Sequence, residues 1–270
     1  MTIQASTAAA QFDPESVTTD DSVVRVEGIC KRYGAVEALR GIDLQFERGK
    51  LTTLLGPSGC GKTTLLKIIA GLIPATSGQI VINDRVVTGP GPERAFVFQD
   101  FALMPWATVL RNVGFGLELK GVAEGERNRI ARNYIEQVGL QGFEDKFPHE
   151  LSGGMRQRVG IARAFAVNAD VLLLDEPFSA VDEQNRRKFQ EDLLRLVEIE
   201  RKTFIFVTHS IEEAVYVSDR IVLLSPRPGR LARIIEPRID RSASPDEIRR
   251  DAAYLDVVED IWQSLRHYAE

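Results

Sequence analysis

The stretch GPSGCGKTT, residues 56–64, decides the fold of this chain. An apolar run at residues 51–55 precedes it and a helical pattern of apolar residues follows it, so the order is strand, glycine-rich loop, helix. Gly56, Gly59 and Gly61 permit backbone conformations and a close approach that a Cβ atom would block, so successive amides can point at phosphate oxygens. The stretch therefore predicts a phosphate-binding loop at a helix N-terminus, in an α/β fold.

Lys62 and Thr63 carry the chemistry of this loop. A lysine here reaches the β- and γ-phosphates of a nucleotide as a point charge, and a threonine hydroxyl is placed to ligate Mg²⁺. The alternative is an ordinary glycine and serine turn, which the flanking strand and helix disfavour. The predicted nucleotide-binding residues of the loop are Gly56, Pro57, Ser58, Gly59, Cys60, Gly61, Lys62, Thr63 and Thr64.

Two adjacent carboxylates, Asp175 and Glu176, end a second apolar run, VLLL at residues 171–174. Such a run is typical of a buried parallel strand, whose carboxyl end opens onto the crevice where open α/β sheets bind ligands. Asp175 is the candidate for orienting Mg²⁺, and Glu176 for polarising a water in line with the γ-phosphate. The alternative is a strand end with two solvated acids.

A second segment suited to an anion is LSGGMRQR, residues 151–158. Ser152, Gly153 and Gly154 open a helical stretch, so they offer a hydroxyl, bare backbone amides and a helix N-terminus. An ordinary serine N-cap beside flexible glycines is the alternative. The chain therefore has a second candidate phosphate site in addition to the glycine-rich loop.

Taken together, these motifs make residues from about 23 to 235 resemble the ATP-binding subunit of ABC transporters. The resemblance implies an α/β fold with a P-loop NTPase core of mixed sheet, an antiparallel β edge subdomain and an inserted helical subdomain. It implies ATP and Mg²⁺ as cofactors. It also implies that two chains, identical or paired, sandwich two nucleotides between the loop of one and the signature, Ser152 to Gly154, of the other. Met155 departs from the most common family form, which has Gln there.

Four further residues receive roles from the resemblance. Tyr33 would stack on adenine, and Gln99 would sense Mg²⁺ and the attacking water. Asp182, which ends the segment SAVD, would contact the opposite subunit, and His209 would touch the γ-phosphate. The predicted catalytic residues are thus Glu176, His209, Gln99 and Lys62, and the predicted Mg²⁺ ligands are Thr63, Gln99 and Asp175.

The chain divides into three parts on composition and periodicity. Residues 1–22 are rich in Ala, Ser, Thr and acids, the pattern of a disordered leader rather than of a signal peptide. Residues 23–240 are predicted to form the ATP-binding domain, with antiparallel strands at 23–27, 42–46 and 80–82 and a helical subdomain at about 101–166. Residues 241–270 are predicted to be a helical tail packed on that domain.

Composition narrows the cellular setting. The formal net charge of −5 gives no electrostatic reason to expect a nucleic-acid partner, and no apolar run approaches the ~20 residues of a membrane span. With the resemblance, this places the chain peripherally on the cytoplasmic face of the inner membrane. It would be held there by multi-span permease subunits and served indirectly by a solute-binding protein.

Two local features make further predictions. Cys60 lies inside the glycine-rich loop, where a helix N-terminus and Lys62 can lower its thiol pKa; the favoured alternative is a small residue at a free motif position. The segment FALMPW, residues 101–106, is expected to expose an apolar groove for a permease helix, with Trp106 as an anchor. A loop that faces the core is the alternative.

Three loop sequences indicate which class of importer the chain resembles. With the signature, GPGPER at 89–94, LMPW at 103–106 and SPRPGR at 225–230 resemble bacterial importers of nitrate, sulfonate and taurine. Their other interpretation is simple turns, with Arg227 and Arg230 solvated. The predicted function is ATP hydrolysis that energises such an importer, or a related importer of bicarbonate, aromatic acids or vitamin precursors that shares these loops. Alternatives are an exporter subunit or a soluble ABC-type ATPase of DNA repair, ribosome function or iron–sulfur assembly. Paired cassettes carry two P-loops and repair proteins a long coiled coil, neither of which this sequence has.

Overall fold

The computed structural model describes residues 22–267 and, for residues 183–185 and 267, the backbone alone. The predicted leader therefore lies outside the described residues, except for Ser22, which begins a strand. The elements follow in the order β1 (Ser22–Tyr33), β2 (Val36–Glu47), β3 (Leu51–Leu55), α1 (Lys62–Ile69), β4 (Ser77–Ile82), β5 (Arg85–Val86), β6 (Arg94–Val97), α2 (Val109–Leu119), α3 (Glu124–Gln137), α4 (Gly153–Ala166), β7 (Val171–Asp175), α5 (Glu183–Glu200), β8 (Thr203–Val207), α6 (Ile211–Val217), β9 (Arg220–Leu224), β10 (Leu231–Ile235), α7 (Pro245–Ile248) and α8 (Ala252–His267).

A six-stranded mixed sheet, in the order β10-β9-β3-β8-β7-β6, forms the centre of the fold. Five neighbouring strands are parallel, and β10 pairs antiparallel with β9. Every residue of β3, β7 and β8 is buried, which explains why most of them are apolar; Thr52 and Thr53 are the buried polar residues within β3. Since parallel strands end at the same edge, the segments after β3, β6, β7 and β8 meet there. The predicted α/β class with a mixed sheet is confirmed.

The central sheet has a hydrophobic core on each face. Successive strand residues point to opposite faces. In β7, Leu172 and Leu174 pack with helices α2 to α6, whereas Val171 and Leu173 pack with α1 and with a second sheet. Both faces of the sheet are therefore buried in apolar cores, and polar side chains lie at its carboxyl edge.

The second sheet is antiparallel, in the order β2-β1-β4-β5, and contains the strands predicted at 23–27, 42–46 and 80–82. Strand β1 is longer than predicted and forms a hairpin with β2, in which Tyr33 is paired with Val36 beside the turn. The hairpin thus places Tyr33 at the end of this sheet.

Three helices, α2 to α4, lie between β6 and β7, but residues 101–108 are irregular. The helical pattern predicted from residue 101 therefore begins only at Val109, with Thr108 as its N-cap. Phe101 and Ala102 have positive φ angles of 61° and 45°. The Arg163 guanidinium donates hydrogen bonds to both of their carbonyl oxygens, at 2.9 and 2.7 Å, and holds the segment in this conformation.

The C-terminal helix α8 packs on α6. Its Tyr254 and Ile261 are buried, and the Tyr254 hydroxyl donates to the Glu212 carbonyl oxygen at 3.1 Å. Within residues 22–267, none of the helices combines the length and the apolarity needed to cross a membrane.

Candidate active site

The glycine-rich loop connects β3 to α1 and is packed too closely for side chains at two positions. A Cβ atom on Gly61, whose φ is 104°, would lie 2.6 Å from the Leu39 Cδ2 atom and 3.1 Å from the Ala38 carbonyl oxygen. One on Gly56 would lie 2.7 Å from the Leu224 carbonyl oxygen. The loop therefore presents bare backbone at the N-terminus of α1, the arrangement that binds phosphate.

The Lys62 side chain is buried and its ammonium is held by the loop itself. Nζ donates hydrogen bonds to the carbonyl oxygens of Gly56 and Pro57, at 2.7 and 3.0 Å, and to the Cys60 Sγ atom at 3.8 Å. The charge is thus fixed inside the cradle before any anion binds. A phosphate that enters needs only to replace carbonyl partners.

Thr63 and Asp175 join the loop to the end of β7. The Thr63 hydroxyl donates to Asp175 Oδ1 at 2.8 Å, and Asp175 is 3% exposed. Burial raises the pKa of the Asp175 carboxyl, opposed by the Thr63 hydrogen bond and by the Lys67 and Lys62 charges. Two hard oxygen donors therefore stand side by side at the cradle.

This donor set fits Mg²⁺. Over the part of the chain that the structure describes, no three His, Cys, Asp or Glu side chains come together as a metal-binding group. Mg²⁺ is usually held by one or two protein oxygens together with substrate phosphates, and does not need such a cage. The hydroxyl of Thr63 and the carboxylate of Asp175 meet that requirement.

Glu176 and His209 face each other at the same edge. The Glu176 Oε2 atom lies 3.2 Å from His209 Nδ1, and the Glu176 amide donates to the Val207 carbonyl oxygen at 3.0 Å. Glu176 has a φ of 47°, a left-handed conformation that costs a non-glycine residue about 1–2 kcal/mol. The end of β8 thus holds the strained backbone of Glu176, and its carboxylate points toward the imidazole.

A hydrogen-bonded turn positions His209, and sequence reasoning missed it. The Thr208 hydroxyl donates to Glu213 Oε2 at 2.5 Å and accepts from the Ser210 amide at 3.1 Å. Ser210 in turn caps α6. Burial raises the pKa of the Glu213 carboxyl. The only sequence signal for this turn is a serine three residues before Glu213, at the start of a helical pattern.

The loop borders an open cleft of about 390 Å³ that also reaches Tyr33, which is 51% exposed. The Lys31 ammonium lies 4.9 Å from the centre of the Tyr33 ring. Three residues of the cleft wall were not predicted as site residues: Val36, Ala38 and Arg227. The lining residues are Tyr33, Val36, Ala38, Ser58, Gly59, Gly61, Lys62, Thr63, Thr64, Glu176 and Arg227.

The signature segment lies elsewhere. Ser152 caps α4 by accepting a hydrogen bond from the Met155 amide at 3.3 Å, and a Cβ atom on Gly153 would lie 3.2 Å from the Ala180 carbonyl oxygen. The segment thus packs beside the loop that contains Asp182, whose side chain is exposed. Among the described residues, neither segment belongs to the wall of the cleft at Lys62.

Gln99 lies two residues beyond β6 and its side chain is exposed. Strand β6 pairs in parallel with β7, with Val97 opposite Leu174, so Gln99 follows the strand next to Asp175. The topology therefore places Gln99 at the same edge as the acidic pair, although outside the cleft wall.

The prediction that Cys60 has a lowered pKa is wrong. The Cys60 side chain is fully buried, and this burial raises the pKa of its thiol more than the Lys62 charge lowers it. Cys30, by contrast, is partly exposed.

The segment 101–106 presents Trp106 to solvent, with 73% of the residue exposed, whereas Leu103 packs against the core. The segment therefore faces outward at Trp106 and inward at Leu103.

Comparisons with known proteins agree with this geometry. The sequence model of the ABC transporter family matches residues 39–179. The taurine import ATP-binding protein TauB of Escherichia coli is 48% identical over 209 residues, which are 77% of this chain and 82% of that protein. The aliphatic sulfonates import ATP-binding protein SsuB of Bacillus cereus is 46% identical over 225 residues, 82% of this chain and 88% of that protein.

A solved structure shows the same fold. The dimeric ATP-binding cassette in a post-hydrolysis state bound to ADP and Pi has a TM-score of 0.71 at 32% identity, and the match covers 79% of this chain and 98% of that one. The range matched by the family model contains the glycine-rich loop, the signature and the acidic pair, whereas Tyr33, His209 and Arg227 lie outside it.

Proposed function

This chain belongs to the ABC transporter family, and on that premise we propose that it is the ATP-hydrolysing subunit of a bacterial importer for a small sulfur-containing or related anion. One observation carries the proposal: the cradle that holds Lys62 opens onto the Glu176 carboxylate, which lies 3.2 Å from His209. A phosphate-binding loop and an acid that can orient water therefore share one cleft.

The reaction follows from these positions. ATP binds with its phosphates on the loop amides, and the Lys62 ammonium exchanges the carbonyl oxygens of Gly56 and Pro57 for phosphate oxygens. Glu176 orients a water in line with the γ-phosphate, and His209 contacts that phosphate. Because Lys62 is already in place, little reorganisation is needed as charge develops.

Mg²⁺ completes the site under this proposal. Thr63 and Asp175, joined by a 2.8 Å hydrogen bond, would hold it together with the nucleotide, and Gln99 would approach from the end of β6. When bound, the ion neutralises phosphate charge that Lys62 alone does not. The side chains bind the nucleotide, orient the attacking water and exclude other water.

Two such chains form the working unit. The signature, Ser152 to Gly154, presents a helix N-terminus away from the cleft of its own chain, so it is free to meet the nucleotide of a second chain. The solved cassette of the same fold is dimeric. To shift from mostly open to mostly closed dimers takes about 5.5 kcal/mol, which two multiply charged nucleotides can supply. Hydrolysis then removes the ATP that connects the glycine-rich loop of one chain to the signature of the other.

The membrane partner docks through the segment 101–106. Trp106 is exposed, and an apolar ring of this size suits an anchor for a short helix of a permease. The subunit is thus peripheral on the cytoplasmic face of the membrane. Relatives named for taurine and aliphatic sulfonate import support a sulfonate as the solute, and nitrate rests on the sequence motifs alone.

Co-purification from the native host tests this function. The tagged chain is isolated from gently solubilised membranes, and its partners are identified by mass spectrometry. A multi-span permease is the expected partner, and uptake of taurine, an alkyl sulfonate and nitrate in cells with and without this chain then identifies the solute. Recovery of soluble partners alone, from a chain that still hydrolyses ATP, contradicts the importer.

A pair of variants tests the docking surface. Trp106→Glu should abolish permease recovery and solute uptake and leave the affinity of the isolated chain for ATP unchanged. Ile199→Glu is the matched control, because Ile199 is 70% exposed on α5. Equal permease recovery for both variants would remove Trp106 from the interface.

A further inference from the structure

The segment SPRPGR, residues 225–230, is anchored against the phosphate-binding loop. The Gly229 amide donates to the Ala38 carbonyl oxygen at 2.9 Å, and the Gly229 carbonyl oxygen accepts from the Arg40 amide at 3.0 Å. A Cβ atom on Gly229 would lie 2.0 Å from the Cys60 carbonyl oxygen. The segment therefore touches both the β1–β2 hairpin and the glycine-rich loop, at a distance that only glycine allows.

The segment is also closed on itself. The Ser225 amide donates to the Arg230 carbonyl oxygen at 3.0 Å, and the Ser225 hydroxyl accepts from the Arg230 amide at 3.1 Å. Both ends of the turn are thus joined, and its middle residue, Arg227, has a defined position before any ligand arrives.

That position is the wall of the nucleotide cleft. Arg227 lines the cleft together with Tyr33, Ser58 and Gly59, and its Nη2 atom lies 3.5 Å from the point where a Gly59 Cβ atom would stand. Within residues 22–267, the Arg227 guanidinium has no hydrogen-bonded or ion-paired partner. An exposed guanidinium thus lies over the start of the phosphate cradle, with five donors available.

We propose that Arg227 binds the nucleotide, with its guanidinium donating hydrogen bonds to oxygens of the α-phosphate. The inference rests on the proposed ATPase function. Lys62, Thr63 and Glu176 occupy the γ-phosphate end of the cleft, and Tyr33 the base end. Arg227 lies over Gly59 and shares the cleft wall with Tyr33, so we assign its guanidinium to the phosphate nearest the base end. A planar guanidinium suits such a phosphate because two donors can engage two of its oxygens.

Nucleotide affinity tests this role. Binding of ADP and AMP to the full-length chain is measured by displacement of a fluorescent ADP analogue, for the wild type, Arg227→Gln, Arg227→Lys and Arg230→Ala. Loss of a charge-assisted hydrogen bond at a solvated site should weaken ADP and AMP alike, about tenfold in Arg227→Gln. Arg227→Lys should lose less nucleotide affinity than Arg227→Gln. The loss of affinity in Arg227→Gln should become smaller at high salt concentration.

Arg230→Ala is the matched control, since Arg230 is exposed on the same turn but outside the cleft wall. It should bind both nucleotides within twofold of the wild type. The unfolding temperatures of all variants without nucleotide should agree, which separates binding from folding.

Each outcome separates the two proposals. If the wild type binds neither the fluorescent analogue nor ADP, the proposed function fails. If the wild type binds and Arg227→Gln binds ADP within twofold of it, only the role of Arg227 is overturned. A loss for ADP with no loss for AMP would contradict the α-phosphate assignment.

Discussion

Replacing Asn112 by Ala tests how the irregular segment 101–108 is held in place. The Asn112 side chain is fully buried and makes four hydrogen bonds. Its Oδ1 atom accepts from the Met104 amide at 2.9 Å, and Nδ2 donates to the carbonyl oxygens of Met104, Ala107 and Thr108 at 3.1, 2.9 and 3.0 Å. One side chain thus ties the segment to the first turn of α2.

The expected loss of stability in Asn112→Ala depends on which hydrogen-bond partners the neighbouring backbone groups keep. The Met104 carbonyl oxygen still accepts from the Ala107 amide, and the Thr108 carbonyl oxygen from the Asn112 amide. The Met104 amide loses its partner, at about 1 kcal/mol or more, and the loss of the Nδ2 bonds, which include that to the Ala107 carbonyl oxygen, adds about 1 kcal/mol. We therefore expect local stability to fall by about 2 kcal/mol, which is a roughly thirtyfold larger opening constant.

Amide hydrogen exchange followed by mass spectrometry measures this opening directly, because exchange from a locally unfolding segment tracks its opening constant. In Asn112→Ala, peptides that cover residues 101–112 should exchange about thirtyfold faster, and those from β7 and β8 at the wild-type rate. Arg111→Ala is the control, since the Arg111 side chain is 65% exposed and its ion pair with Glu118 is weak. If Asn112→Ala and Arg111→Ala exchange alike, the hydrogen bonds of Asn112 do not hold the segment.

Three shorter predictions concern the site itself. Glu176→Gln should slow the release of phosphate from ATP at least about 100-fold. The variant should also accumulate as an ATP-bound dimer, which size-exclusion chromatography detects. A variant that stays monomeric in saturating ATP, even with its permease, contradicts the mechanism. Because burial raises the pKa of Asp175, the folded chain binds more protons than the unfolded one and this carboxyl stabilises less as pH rises. Asp175→Asn, which keeps an acceptor for Thr63, should therefore resist urea better than the nucleotide-free wild type at pH 7 and not at low pH; equal midpoints at pH 7 would refute this. A thiol reagent should modify Cys30 before the buried Cys60 and leave ATP hydrolysis unchanged, with fast loss of activity as the contrary result.

The central sheet was predictable because a strand buried on both faces is mostly apolar. The runs at residues 51–55 and 171–174 show this pattern, and Asp175 and Glu176 at the end of β7 stand out against it. Sequence order alone then brings the strand ends to one edge, since parallel strands share a direction.

Features that depend on distant partners could not be predicted. Phe101 and Ala102 have helical apolar spacing but positive φ, and the arginine that holds them, Arg163, comes from another helix. The pKa of Cys60 was misjudged because the nearby charge is visible in the sequence and the burial is not. The interpretation of Arg227 as simply solvated overlooked the cleft, because the place of its turn depends on contacts with Ala38 and Cys60.

The close contacts of the glycine-rich loop have a consequence for where the functional unit of this chain ends. All the residues given roles in nucleotide binding or hydrolysis by the sequence lie before residue 210, and the family model stops at residue 179. The loop is nevertheless enclosed by segments that are distant from it and from each other: Leu39 against Gly61, Leu224 against Gly56, and Gly229 against Cys60. A fragment that ends after His209 would keep every one of those residues and lose two of these three contacts. The loop is therefore not a portable module, and its shape belongs to a chain that extends at least to residue 230.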